Sequence, residues 1–241
     1  MPNASVFGIT ASRNSLAQVP QFPLDALDDL PDVPALPETL LQMELRLHEF
    51  SIDLHELSQL VLSDLGATLQ IMRLAAREGG ASDAHPARIE DCISHLGPDA
   101  CLRVAGRRTV LSEARHRGVT EVWAHAREVA QLCRKIADAT DARIHPEAAY
   151  LAGLTHALGL LPEVLGWHWP QNAASGWVAK GQSLAQMWSL PLCVQQLFAE
   201  LQTPDADEGW TGLLHKAHQM ARISPRCPMC AGLAPQLCRR G

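Results

Sequence analysis

The sequence predicts an all-α fold, and three observations support that prediction. Leu and Ala dominate the 47% hydrophobic content, whereas aromatic residues make up only 5%. β-Branched residues are never clustered, so local propensity favours helices over strands. Apolar residues recur at spacings of three and four along most of the chain. A chain of 241 residues with 19% charged residues can form one large domain or two small ones.

The first half of the chain divides into helices at recognisable caps and breakers. Residues 1–33 combine several prolines with Ser, Asn and Asp and predict a flexible leader. A helix is expected to begin at Pro37, and Ser51 is the expected N-cap of a second helix that ends at residue 62. Asp64 is the expected N-cap of a third helix, over 65–77.

The second half begins with two helical stretches, 87–95 and 98–115, which Gly97 separates. We expect Gly118 to end that block and Thr120 to begin a long helix that runs to residue 139. The inward stripe of the long helix includes His125. The same patterns predict further helices over 147–156, 160–167, 171–180, 183–188, 192–201 and 210–223.

Charge and targeting signals argue against several function classes. The net charge of −6 and pI near 6.0 provide no overall cationic field for a phosphate backbone, so nucleic acid is an unlikely partner. The first residues lack a charged and apolar signal pattern, and no run of about 18 apolar residues occurs. Seven cysteines, most of them single in helical patterns, favour a reducing compartment. We therefore expect a soluble cytoplasmic protein without a membrane partner.

An ordered set of short motifs resembles the HDOD domain family over residues 34–224. The motifs are PALPETLLQM, LGATLQIMRLA, IEDCISHLG, VWAHAREVAQLCRKIA, AYLAGLTHALG, SLAQMWSLP and LLHKAHQMA. The resemblance implies a multi-helix bundle with an N-terminal helical lobe over 34–118 and a degenerate HD-like lobe over 119–224. Residues 225–241 are left as a Cys-containing tail.

The resemblance also places the chain beside the HD-domain phosphohydrolases, which bind divalent metal through histidines and aspartates. His125 and His156 match the two histidines, Ala157 stands at the Asp of the His-Asp pair, and His218 best matches the distal Asp. Hard divalent ions require carboxylate oxygens, and phosphoester hydrolysis needs a metal that acidifies a bound water. Since both carboxylates are missing, the resemblance implies a vestigial site, no catalytic residue and no cofactor.

The expected function is therefore non-catalytic. The resemblance implies a bacterial regulator that transduces signals by contacting other signalling proteins or a second copy of itself. One alternative is a metal-dependent phosphohydrolase with an altered, His-rich site, in which His125, His156 and His218 converge on zinc. Another is a domain that senses a nucleotide without turning it over. The ordinary alternative for His125 and His156 is that they are hydrogen-bonded core histidines.

Two further clusters could bind something. The tail contains Cys227, Cys230 and Cys238 in the pattern C-x₂-C followed by a third thiol, one ligand short of a structural zinc site. His215 and His218 are the nearest candidates for a fourth ligand, and free thiols on a frayed C-terminus are the simpler interpretation.

Four tryptophans lie in one stretch of the degenerate HD-like lobe. They are Trp167, Trp169, Trp177 and Trp188. Such a concentration of aromatic side chains is typical either of a partner-binding surface or of the core of a lobe built from short helices. If some of the rings are exposed, this segment is the best candidate for a partner surface.

Overall fold

The computed structural model describes residues 33–78, 88–106, 109–140, 144–169, 175–203 and 209–231, and within these ranges it contains helices and no strand. The all-α prediction is confirmed. The helices are α1 Pro37–Leu47, α2 Leu54–Leu62, α3 Leu65–Glu78, α4 Ile89–Ala105, α5 Glu113–Ala139, α6 Pro146–Thr155, a 3₁₀ helix His156–Leu160, α7 Leu161–Leu165, α8 Trp177–Met187, α9 Leu192–Leu201 and α10 Gly209–Met220. The expected leader, 1–33, lies outside the described residues except for Val33.

The four N-terminal helices follow local signals closely, with two corrections. Pro37 occupies the first turn of α1, where its missing N–H leaves no intrahelical bond unmade. The cap of α2 is Asp53 rather than the expected Ser51, because the Asp53 carboxylate accepts bonds from the main-chain N–H groups of His55 and Glu56. Gly97, at a φ of +73°, breaks the direction of α4 as expected, but the helix ends at Ala105, not near residue 115.

Asp64 joins three separate elements through one buried carboxylate. It caps α3 by accepting from the main-chain N–H of Ala67 at 3.0 Å. It also accepts from the main-chain N–H of Leu36 at 2.7 Å and from the indole N–H of Trp123 on α5 at 3.2 Å. Burial raises the pKa of Asp64, and these hydrogen bonds oppose the shift only in part. The predicted cap is thus also the link between α1, α3 and α5.

Helix α5 begins earlier than the sequence suggested. Ser112 caps it, so the segment that we expected to be divided by Gly118 is continuous, and Gly118 is buried inside the helix. Gly118 therefore does not break the helix, and a Cβ there would stand 3.5 Å from the guanidinium carbon of Arg226 and 3.6 Å from Cγ1 of Val164. Helix α6 lies directly on α5: a Cβ at Gly153 would stand 2.7 Å from the Cα of Ala130. This close approach fixes the position of the residues that follow α6.

The short helices after α6 complete the bundle. A Cβ at Gly159 would overlap the main-chain oxygen of Trp177, so this glycine allows α8 to begin against the 3₁₀ helix. The two helices expected over 171–180 and 183–188 form one helix, α8, as far as the described residues show. Helix α10 is followed by an irregular segment and a last helical turn over 228–231, part of the region predicted to be a tail.

Two groups of buried side chains hold the helices together. The larger runs from Val33 through α3, α4 and α5 to Phe198 on α9 and therefore crosses the expected boundary between lobes. The smaller lies between α5, α6, α9 and α10 and includes Val129 and Leu214. Pro146–Leu165 is long and apolar enough to span a membrane by composition, but most of it is buried, which is consistent with the core of a soluble protein.

We predict that Asp64→Ala lowers the free energy of unfolding by about 3 kcal/mol, because it removes the cap of α3 and leaves buried N–H groups without an acceptor. Asp53→Ala is the matched control. It removes an exposed N-cap only and should cost about 1 kcal/mol. Chemical denaturation of both variants measures the difference, and equal losses would contradict the linking role of Asp64.

Candidate functional site

The three histidines singled out in the sequence meet inside the bundle. His125 lies on α5, His156 begins the 3₁₀ helix, and His218 lies in the last turn of α10. Their ring centroids are separated by 5.6 Å for His125 and His156, 5.4 Å for His125 and His218, and 4.9 Å for His156 and His218. All three side chains are buried. Packing of α6 and α10 against α5 therefore creates the convergence that the resemblance implied.

Two thiols of the C-terminal segment complete this cluster. The Sγ of Cys227 lies 3.4 Å from Nε2 of His218 and 3.9 Å from Nε2 of His156. The Sγ of Cys230 lies 3.6 Å from Nε2 of His125. Both cysteines are buried, so the expectation of free thiols on a frayed C-terminus is wrong for them. Cys238 lies outside the described residues, and His215 is exposed on α10.

We call these five residues the His/Cys cluster: His125, His156, His218, Cys227 and Cys230. Main-chain carbonyls orient two of its rings. Nδ1 of His156 is 2.6 Å from the oxygen of Gly153, and Nδ1 of His218 is 2.8 Å from the oxygen of Leu214. Because a carbonyl oxygen can only accept, each Nδ1 donates, and each Nε2 therefore presents a lone pair to the thiols. The helix backbone therefore supplies the acceptors that orient these two rings.

Burial disfavours the charged forms of the three imidazoles and of the Cys227 thiol. It lowers the pKa of His125 and His156 and lowers that of His218 to about 4. It also raises the pKa of the Cys227 thiol to about 12. Nδ1 of His125 is buried without a hydrogen-bond partner of normal geometry, which is costly for a polar atom in the core. The cluster therefore consists of neutral imidazoles and a neutral Cys227 thiol.

The segment that brings the thiols is anchored to α5 by its charged and polar groups. The guanidinium of Arg226 pairs with the carboxylate of Glu121 at 2.9 Å. The main-chain N–H of Arg222 donates to the carboxylate of Glu128 at 3.3 Å. The turn itself closes when the N–H of Cys227 donates to the oxygen of Ser224 at 3.1 Å. These contacts place the C-x₂-C turn over the three histidines.

The cluster does not suit the metal centre of an HD phosphohydrolase. Ala157, at the position of the paired Asp, is buried within the larger core. The residues that offer closely spaced ligand atoms are His125, His218, Cys227 and Cys230, so this described group contains no carboxylate. Hard ions such as Mg²⁺ and Mn²⁺ prefer oxygen ligands, whereas imidazole and thiolate suit Zn²⁺. A hydrolytic centre of the HD type does not fit these residues.

The tryptophans pack mainly against the core. Trp188 is buried, with the guanidinium of Arg73 4.3 Å from its ring centroid and the ring of Trp167 edge-on at 6.2 Å. Trp177 packs edge-on against Phe198 at 6.5 Å. Trp167, Trp169 and Trp177 are each only half-buried. Trp188 is therefore a core residue. A partner surface in this segment would have to use the partly exposed rings of Trp167, Trp169 and Trp177.

An open pocket lies elsewhere on the molecule. It is formed between α2, α4 and α6, encloses about 490 Å³ including open solvent, and is lined by Arg88, Glu90, Arg134, Glu147 and Tyr150 among others. Arg88 pairs with both Glu90 and Glu147 across it. The pocket shares no lining residue with the His/Cys cluster. This pocket is therefore not the cleft in which the sequence analysis placed a possible nucleotide site.

The sequence pattern joined the tail thiols to His215 or His218, but not to His125 or His156. The spacing H-x₈-C-x₂-C from His218 to Cys230 favours His218 over His215, because it brackets one short reversal of the chain. The sequence could not show that this reversal brings Cys230 to His125. The two residues are 105 positions apart, so their contact depends on the tertiary fold.

Solved structures share this helical fold. The chain is similar to the MmoQ response regulator from Methylococcus capsulatus str. Bath, with a TM-score of 0.61 and 20% identity over 78% of this chain and 85% of that one. It is also similar to a virulence factor from Campylobacter jejuni, with a TM-score of 0.52 and 14% identity over 82% of this chain and 77% of that one. A search of curated proteins found no match.

The sequence itself matches a family profile described as the HDOD domain over residues 33–166, more than half of the chain. The match begins at the buried Val33, includes His125 and His156, and ends just after α7. Together with the all-α architecture, this agrees with the resemblance inferred from the motifs. The chain belongs to the HDOD domain family.

Proposed function

We propose that this chain is a non-catalytic cytoplasmic signal-transduction domain that acts by contacting other proteins. One observation carries the proposal: the place where an HD enzyme holds its metal is a buried, carboxylate-free group covered by the C-terminal segment. A hydrolytic site needs an open coordination position and access for the substrate. The response-regulator name of one structural neighbour supports a signalling role.

The alternative is a phosphohydrolase with an altered, His-rich metal site. It would use His125, His156 and His218 as ligands around an activated water. The thiol of Cys227 stands beside two of these imidazoles, where a water and a phosphoester would have to enter. The geometry therefore favours the non-catalytic proposal over this alternative.

A protein that works by contact needs an exposed surface, and the best candidate lies on α1 and α2. Leu41 and Leu45 are four residues apart on α1 and both are exposed, so they share one outward face. Phe50, between the two helices, is fully exposed, and Leu54 at the start of α2 is exposed as well. Exposed apolar groups of this kind mark interaction sites when they are contiguous. The exposure of these side chains supports the proposal that a partner protein contacts this α1–α2 surface.

We predict no release of phosphate from phosphomonoesters, nucleotides or cyclic dinucleotides by the full chain supplied with Mn²⁺, Mg²⁺ or Fe²⁺. The Ala157→Asp variant should be equally inactive, because the distal ligand position still holds an imidazole and the thiols still cover the site. An active HD phosphohydrolase serves as the positive control for the assay. Turnover above background that disappears in a His125→Ala or His156→Ala variant would contradict the proposal.

We predict that Leu41→Ser combined with Leu45→Ser weakens partner binding by about 10-fold, roughly 1.4 kcal/mol. Leu192→Ser is the matched control because Leu192 is an exposed leucine on α9, away from this surface. Binding is measured by titration of a purified partner recovered by affinity capture, and self-association by sedimentation velocity. If both variants bind as the unchanged chain does, the α1–α2 surface is not the contact site.

A further inference from the structure

We propose that His125, His218, Cys227 and Cys230 form a structural zinc site that fastens the C-terminal segment onto the former catalytic face. One ligand atom from each of these four residues lies within 4.8 Å of every other, and all four side chains are buried. The site would use two thiols that lie beyond the region matched to the family, together with His125 inside it. It goes beyond the proposed function and can fail independently of it.

The distances between ligand atoms already approach those of tetrahedral zinc. Zn–N bonds of about 2.0 Å and Zn–S bonds of about 2.3 Å place neighbouring ligand atoms about 3.3–3.8 Å apart around a tetrahedron. The 3.4 Å separation of Cys227 Sγ and His218 Nε2 falls within that range. So does the 3.6 Å separation of Cys230 Sγ and His125 Nε2. Only small side-chain adjustments are needed for the remaining pairs, which reach up to 4.8 Å.

The imidazoles are prepared for coordination. His218 donates its Nδ1 proton to the oxygen of Leu214, so its Nε2 lone pair faces the thiols. Such a carbonyl acceptor behind a ligating imidazole is the usual way that proteins orient a metal-bound histidine. Nε2 of His125 lies 3.6 Å from Sγ of Cys230, whereas Nδ1 of His125 lacks a hydrogen-bond partner of normal geometry.

The net charge of the buried complex favours this ligand set over one made of three histidines. Zn²⁺ held by two neutral imidazoles and two thiolates has no net charge, because binding expels one proton from each thiol. Zn²⁺ held by His125, His156 and His218 alone would leave two positive charges in the core with no carboxylate in the described ligand group to balance them. Burial of an unbalanced charge is strongly unfavourable. The two thiolates therefore neutralise the charge of the buried Zn²⁺. His156 is not one of the four proposed ligands.

Bound zinc would attach the segment after α10 to the helix bundle. Among the described contacts of the segment after α10, the ion pair of Arg226 with Glu121 joins side chains that are about half exposed, so this pair is worth little in water. Coordination would add bonds from Cys227 and Cys230 to helices α5 and α10. Structural zinc sites couple binding to folding in this way.

The test is zinc analysis of the full chain purified without affinity metals, followed by titration of the metal-free protein with Zn²⁺ and with Co²⁺. We expect about one zinc per chain, and for Co²⁺ the absorption of a tetrahedral site with thiolate-to-metal charge transfer. Cys227→Ser combined with Cys230→Ser should reduce zinc affinity by at least 100-fold and abolish the charge-transfer band. Cys101→Ala, which removes a buried thiol on α4, is the matched control and should retain both.

Helical content by circular dichroism shows whether the variants remain folded. If the double variant does not fold, His218→Gln is titrated instead and should lose zinc affinity in the same way. Zinc binding that survives the loss of both thiols would overturn the site, as would a folded chain that takes up no zinc. A Cys227–Cys230 disulfide as the resting state of freshly purified, anaerobically handled protein would overturn it too. None of these results depends on phosphate release, so the zinc site and the non-catalytic function are tested separately.

Discussion

The rest of the site depends on one constraint, the burial of three imidazoles and two thiols where helices α5 and α10, the 3₁₀ helix and the C-terminal segment meet. Polar atoms in a core must find partners or they cost several kcal/mol. Backbone carbonyls of Gly153 and Leu214 satisfy one side of two rings, and the thiols stand at the other side. The C-terminal segment is therefore part of the core of this domain, because without it Nε2 of the three rings would lose its nearest described partners.

The same position in an HD enzyme serves hydrolysis, and the residue changes here alter the chemistry in a consistent direction. The chain has Ala157 where the resemblance places an oxygen ligand, and the proposed zinc site would use the soft sulfur atoms of Cys227 and Cys230. Catalytic zinc sites keep an open position for water, whereas structural sites are closed by four protein ligands. A closed site would accord with the proposed action by surface contact, for which α1 and α2 offer exposed apolar side chains.

Local signals in the sequence were sufficient for most of the fold and for part of the site. The cap at Asp64, the break at Gly97 and the inward position of His125 each follow from residues within one or two turns. The errors arise where tertiary packing overrides a local signal. Gly118 lies inside a continuous helix instead of ending one, at a position close to the side chains of Arg226 and Val164. The union of Cys230 with His125 depends on how the whole chain folds, so no local pattern around either residue could predict it.

The proposed zinc site places soft ligands from the chain end at the position where the resemblance to HD enzymes places hard ligands. X-ray absorption at the zinc edge of the zinc-loaded full chain tests this most directly, because sulfur and nitrogen neighbours differ in both scattering and distance. The account predicts two sulfur neighbours at about 2.3 Å and two nitrogen neighbours at about 2.0 Å. A first shell of nitrogen and oxygen alone, or one with a bound water in place of sulfur, would contradict it.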